Sequence, residues 1–96
     1  VNYYVLIYHL TDDYLARRGA FRAEHLQLAA DAQSRGELVL GGATSDPADT
    51  ALLVWRAEDS TVVESFVNSD PYVKNGLIAR WEIRPWTVVI GTAYEK

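Results

Sequence analysis

The sequence predicts an α+β fold, a ferredoxin-like βαββαβ sandwich whose antiparallel sheet carries its helices on one face. Two observations point there. Segments of strand character and segments of helical spacing follow one another as strand, helix, strand, strand, helix, strand. The second and third strands are separated by a loop rich in Gly, Ser, Asp and Pro, so two right-handed crossovers joined by a hairpin account for the whole order. The 96 residues suit a single domain, residues 1–96, and a chain of this size buries about two-thirds of the surface it exposes when unfolded.

The first strand is "NYYVLIYHL", Asn2 to Leu10, rich in β-branched and aromatic residues and apolar on both alternating faces, as in a strand covered on both sides. Thr11 offers an N-cap, and Asp12 and Asp13 place negative charge where the helix dipole favours it. The helical pattern then runs to Arg35 and closes at Gly36. Gly19 is its weak point, since glycine costs about 1 kcal/mol relative to alanine inside a helix. A break there leaves the segment from Ala20 as the dependable part.

"ELVLGGA", Glu37 to Ala43, and "ALLVWRA", Ala51 to Ala57, read as the second and third strands and are expected to pair antiparallel. Asp59 and Ser60 can cap the next helix, or Thr61 and Glu64 can form a capping box at the same boundary. Val63, Phe66 and Val67 form the apolar stripe of that helix. In "SDPYVKNG", Asp70 and Pro71 suit the N-cap and first position of a short helical turn ended by Gly76. Trp81 and Ile83 alternate with Glu82 and Arg84 in a fourth strand, Pro85 marks its end or a sheet edge, and "TVVIG" offers a fifth strand or an extension.

Composition narrows the function. Nine Lys and Arg against thirteen Asp and Glu give a net charge of −4 with no basic face, which argues against nucleic acid as a partner. The absence of cysteine excludes disulfides, thiolate metal sites and a cysteine nucleophile, and suits a reducing cytoplasm. Apolar runs are far shorter than the roughly 18 residues of a spanning helix, and the N-terminus has no basic stretch followed by a cleavage site, so a soluble chain without membrane partners is expected. Three Trp and six Tyr are a heavy aromatic load that suits a core or a subunit interface. Helices on one face of the sheet leave the other face open, so the expected partner is a second copy, in a homodimer whose sheets face each other.

Chemistry has few places to sit. At about 100° per residue, His25 lies amid Phe21, Leu28, Ala29 and Ala32 on the apolar arc of "FRAEHLQLAA" and the turn after it. A histidine so placed is either a satisfied core residue or, with an unperturbed pKa near 6.5, a general acid/base. The second role needs a carboxylate that fixes one ring nitrogen. Asp70 is the preferred candidate, although it also reads as the cap before Pro71, and Asp46 competes from the hairpin loop. His9, at the end of the first strand, reads as an edge or interface residue. Two histidines without metal-ligand spacing provide no metal site, and no glycine-rich phosphate loop or nucleophile-elbow serine is present.

Three motifs in order, "RAEHL" at Arg22 to Leu26, "GELVLGG" at Gly36 to Gly42 and "SDPYVKNG" at Ser69 to Gly76, resemble the YciI-related family over a span from the first strand to Pro85. The resemblance implies a ferredoxin-like domain that dimerises as a dimeric α+β barrel, with a histidine and an aspartate forming a dyad. These fall on His25 and Asp70. It also implies small ring compounds as substrates, since some relatives act on them, including by removing chloride from a chlorinated hydroquinone. The family often carries Gly-Pro where this chain has Gly42-Ala43, so the backbone of that pocket wall is less constrained here.

The expected function is therefore a small cytoplasmic enzyme whose His25/Asp70 dyad performs elimination, isomerisation or hydrolysis on a small cyclic or aromatic substrate. Arg22 steadies an anionic group, and Tyr8, Tyr72 and Trp86 wall the site between sheet and helices. No cofactor is needed for such proton transfer. The rivals are a non-catalytic dimeric module of the same fold that binds a small ligand or a protein, and a monooxygenase-like member of the wider dimeric barrel group.

Overall fold

In the computed structural model, which describes residues 1–92, the run Asn2–Leu10 forms β1 at the heart of a four-stranded sheet. Leu38–Ala43 forms β2, Thr50–Ala57 forms β3 and Ile78–Pro85 forms β4. The sheet order is β2-β3-β1-β4 with every neighbouring pair antiparallel. This is the predicted ferredoxin-like α+β topology, the two crossovers placing sequential strands two positions apart so that the other half fits between them.

The pleat of β1 decides what lies inside. Leu6, Tyr8 and Leu10 point into the core with Ala51, Leu53 and Trp55 of β3, while Val5, Ile7 and His9 lie half-buried on the opposite face. On that opposite face Val5 pairs with Val54 and Ile7 with Leu52, and Leu40 of β2 pairs with Val54. Leu40 and Leu52 are 71% and 45% exposed, so the apolar face predicted from one-sided helix packing is open in the single chain.

The first crossover is broken as Gly19 suggested. A short helix α1, Tyr14–Arg17, gives way to a 3-10 turn at Arg18–Ala20, and α2, Arg22–Ser34, restarts after Phe21. Thr11 does not cap α1. Its hydroxyl lies 2.7 Å from Asp13 Oδ1 and 3.1 Å from the Leu77 carbonyl, so it is tied to the turn instead, and the N-cap position falls to Asp13. That hydroxyl, together with the Arg17 guanidinium, holds the Asp13 carboxyl below its ordinary range.

At its far end α2 closes in a Schellman motif: Gly36, at φ +78°, donates to Gln33 and Glu37 donates to Ala32. The second crossover holds α3, Thr61–Ser69, and α4, Pro71–Lys74. Val63, Phe66 and Val67 are buried as their spacing predicts. Ser60 stands at the N-cap of α3 without a side-chain bond to its backbone, and Asp59 accepts from the Thr61 N–H at 3.0 Å instead. Gly76, at φ +76°, ends α4 in a second Schellman motif, with Leu77 donating to Tyr72 and Gly76 to Val73.

The expected fifth strand is a correction. Trp86 makes one last sheet-like bond to the Tyr3 carbonyl at 2.9 Å, and residues 86–92 carry no strand. Pro85 lacks the N–H that a continuing ladder needs, and the chain leaves the sheet after it.

Candidate active site

The site begins with a local constraint. A residue before proline is pushed out of the helical region, and Asp70, preceding Pro71, takes φ −71° and ψ 120° between α3 and α4. This conformation turns its carboxylate back over the start of α4, where Oδ1 accepts the Tyr72 N–H at 3.1 Å. The side chain is fully buried. A buried carboxylate is costly unless it is hydrogen-bonded, and two further donors join the Tyr72 N–H. The Tyr8 hydroxyl, from the core face of β1, donates to Oδ2 at 2.8 Å. His25, on the first turns of α2, places Nδ1 2.8 Å from Oδ1.

This arrangement assigns the tautomer. A carboxylate only accepts, so the proton between it and the imidazole sits on Nδ1, which leaves Nε2 with its lone pair in the neutral ring. The ring is also fixed out of its plane. It lies flat on the Tyr72 ring, centroids 3.9 Å apart and planes within 8°, and meets Phe66 edge-on at 6.2 Å. The pair is an ion pair only when His25 is protonated, with the imidazole side chain 15% exposed and the carboxylate completely enclosed.

Burial, reinforced by the adjacent Asp70 carboxylate, drives the Tyr8 phenol far above its ordinary value, so this hydroxyl remains a donor. Tyr72 is also raised, chiefly by burial and next by Tyr14, while Arg22 and Arg18 pull the other way.

A cavity of about 990 Å³ opens beside the pair, between the helical segments of the first crossover and β2 with its hairpin loop. Tyr8, Tyr14, Arg18, Arg22, His25 and Tyr72 line its inner side, and Leu38 to Ala48 line the other. Such a volume admits a small ring compound with room for water. Among the described residues no group of three or more His, Asp or Glu side chains is gathered around a point where a metal ion fits.

A family model described as the YCII-related domain matches residues 1–87. The chain belongs to the YCII-related family. Solved structures agree on the fold of this YCII-related chain. It is similar to 5-chloro-2-hydroxyhydroquinone dehydrochlorinase (TftG) from Burkholderia phenoliruptrix AC1100, solved with 2,5-dihydroxybenzoquinone, at 24% identity and TM-score 0.75 over 88% of this chain and 93% of that one. It is also similar to the Agrobacterium tumefaciens protein Atu4242, at 14% identity and TM-score 0.61 over 93% of this chain and 94% of that one. A third likeness is to a putative antibiotic biosynthesis monooxygenase from Bacteriodes thetaiotaomicron, at 13% identity and TM-score 0.60 over 99% and 95% of the two chains. No curated protein matches the chain.

Of the residues singled out in the YCII-related sequence, His25, Asp70, Tyr8, Tyr72 and Arg22 come together, whereas Asp46 belongs to the hairpin side of the cavity. Trp86 does not join them. It is 48% exposed beside Tyr3, toward the opposite end of β1 from Tyr8, because β4 runs antiparallel to β1 and carries the chain away from Tyr8. Tyr8 lies at the cavity, yet its hydroxyl is committed to Asp70 rather than left for a ligand. Sequence reasoning missed Arg18 and Tyr14. The spacing of Arg18, Arg22 and His25 is a helical one, but the break at Gly19 hid that the three still share a side.

Proposed function

We propose that this chain is an enzyme in which His25 is the general base and acid for a small cyclic or aromatic substrate and Asp70 is its orienting partner. The observation that carries the reading is the 2.8 Å contact between His25 Nδ1 and Asp70 Oδ1 beside an open cavity. Nε2 takes a proton from the substrate, and the carboxylate behind the ring stabilises the imidazolium that forms. In an elimination, the electrons of the broken bond to hydrogen form a new double bond as the leaving group departs with its own bonding pair. In an isomerisation the proton returns to another atom. The likeness to a dehydrochlorinase of a chlorinated hydroxyhydroquinone favours elimination as the first reaction to test.

The cavity walls add shape. Tyr72, stacked under His25, and Tyr8 form an aromatic floor, and Arg22 at the start of α2 steadies negative charge. The working unit is a homodimer in which the open sheet faces of two copies cover Val5, Ile7, Leu40, Leu52 and Val54. A cysteine-free chain of this kind suits the cytoplasm, and no helix among the described residues is long and apolar enough to cross a membrane.

Chloride release from 5-chloro-2-hydroxyhydroquinone and related halogenated ring diols tests the reading. The native protein is expected to release chloride, His25→Ala to lose about 10²-fold or more, and Asp70→Asn to fall between them, with circular dichroism showing that each still folds. Equal rates in all three remove the dyad.

A further inference from the structure

Two guanidinium groups, those of Arg18 and Arg22, stand at the cavity, and among the described residues neither forms an ion pair. Arg18, half-buried in the 3-10 turn, holds its guanidinium carbon 5.7 Å from the centroid of the Tyr14 ring. Arg22 opens α2 one turn before His25. Both line the cavity. Both favour ionisation of the Tyr72 phenol, against the larger effect of its burial, which sets the two cations near the ring that stacks on His25. Asp46 lines the hairpin side of the same cavity, and among the described residues it forms no ion pair with either arginine. A chain of net charge −4 thus sets two cations against one carboxylate around a single concavity, a local excess of positive charge that raises the concentration of anions there.

We propose that the substrate of this site is an anion, a small ring compound bearing a carboxylate or an ionised ring hydroxyl, whose oxyanion is held between Arg18 and Arg22. The class follows from the donors: a guanidinium presents a planar fork that matches planar oxyanions, and the Tyr14 face keeps the Arg18 fork oriented. The same two charges stabilise the negative charge left on the ring once Nε2 has taken a proton. The inference rests on the reading of His25 as the base only for this last step. Anion binding itself does not depend on it.

Calorimetric titration at neutral pH and low salt tests the proposal with benzoate against benzamide and with 2,4-dinitrophenolate against dinitrobenzene. Each anion is expected to bind the native protein more tightly than its uncharged partner. Arg18→Gln and Arg22→Gln are each expected to weaken the anions by about tenfold, the loss of one charge-assisted hydrogen bond. Arg17→Gln, whose guanidinium bonds the Asn75 carbonyl outside the cavity, leaves them unchanged. A response to one anion alone identifies whether carboxylate or ring oxygen is recognised and supports the proposal either way. Equal binding of charged and neutral rings, no binding of either anion, or the same loss in Arg17→Gln overturns it. His25→Ala is expected to keep anion affinity, so a protein that binds anions yet turns nothing over defeats the catalytic reading alone. His25-dependent turnover with anion binding untouched by both arginine variants defeats this inference alone.

Discussion

His25 and Asp70 stand 45 residues apart in the chain and meet at 2.8 Å, the imidazole on α2 and the carboxylate at the joint between α3 and α4. The contact joins the two crossovers of the sandwich. It also fills one of three places on a carboxylate that has no access to water.

Asp70→Asn tests what that enclosure costs. An amide keeps the volume but turns one acceptor into a donor that faces either the Tyr8 hydroxyl or the His25 and Tyr72 N–H groups. Leaving a buried polar group mispaired costs about 1–3 kcal/mol. Urea unfolding followed by tryptophan fluorescence is expected to show a lowered midpoint with an unchanged slope.

Tyr8→Phe removes the donor to Oδ2 and nothing else. The expected destabilisation is again about 1–3 kcal/mol, and activity on any substrate is expected to fall less than in His25→Ala because Nδ1 keeps its partner. Nitrogen chemical shifts of His25 read the tautomer directly. If the variant melts with the native protein, the Tyr8 hydroxyl is not the bond that satisfies Asp70.

Alkaline pH acts through the same tyrosine. Burial and Asp70 raise the folded phenol far above the ordinary tyrosine value of 10.0, so above pH 10.0 the unfolded chain loses a proton that the native protein retains. The unfolded state then binds fewer protons, and stability falls as pH rises past that point. The Tyr72 phenol, raised in the same direction, adds to the effect. Unfolding midpoints measured through this range are expected to drop for the native protein and to drop less for Tyr8→Phe.

Gly76→Ala probes the turn that returns α4 to β4. Gly76 has φ +76°, where an added side chain strains the backbone, while the nearest atom to a new Cβ is Arg17 Nη1 at 4.0 Å, an ordinary contact. The cost is therefore conformational, about 1–2 kcal/mol. A thermal melt reads it, and a loss several times larger would mean that the turn also carries the register of β4.

Ile7→Lys tests the open face. Ile7 faces away from the helices opposite Leu52, so a lysine there disturbs no helix packing in the single chain but places charge at the centre of the proposed dimer contact. Sedimentation is expected to show a dimer for the native protein and a monomer for the variant. A native monomer at micromolar concentration would contradict the idea that a second copy covers this face.

Local signals carried most of the architecture. The bounds of β1, the interruption at Gly19, the Schellman glycines at positions 36 and 76, and the Asp70–Pro71 start of α4 each depend on a few adjacent residues, and each is legible from them. The apolar arc around His25 was legible for the same reason: helical period is a local property, and Ala32 is buried while Phe21, Leu28 and Ala29 pack half-buried beside it. Where the reading failed, the local signal was ambiguous. "TVVIG" has the composition of a strand but follows a proline that ends the ladder, and Thr11 had two better partners than a helix terminus.

By itself, then, the sequence determined the order of elements, the inward-facing imidazole and the carboxylate before Pro71. Only the tertiary structure decided that Tyr8 serves Asp70 rather than a ligand, that Tyr72 lies flat beneath His25, that Arg18 joins Arg22 at the cavity, and that Trp86 ends up at the other end of the sheet. The physical reason is distance along the chain. Tyr8 and Asp70 are 62 residues apart, and β1 is apolar on both faces, so no periodicity tells which tyrosine of "NYYVLIYHL" looks toward the helices. That choice belongs to strand register and helix docking, which emerge when the two crossovers pack on one sheet.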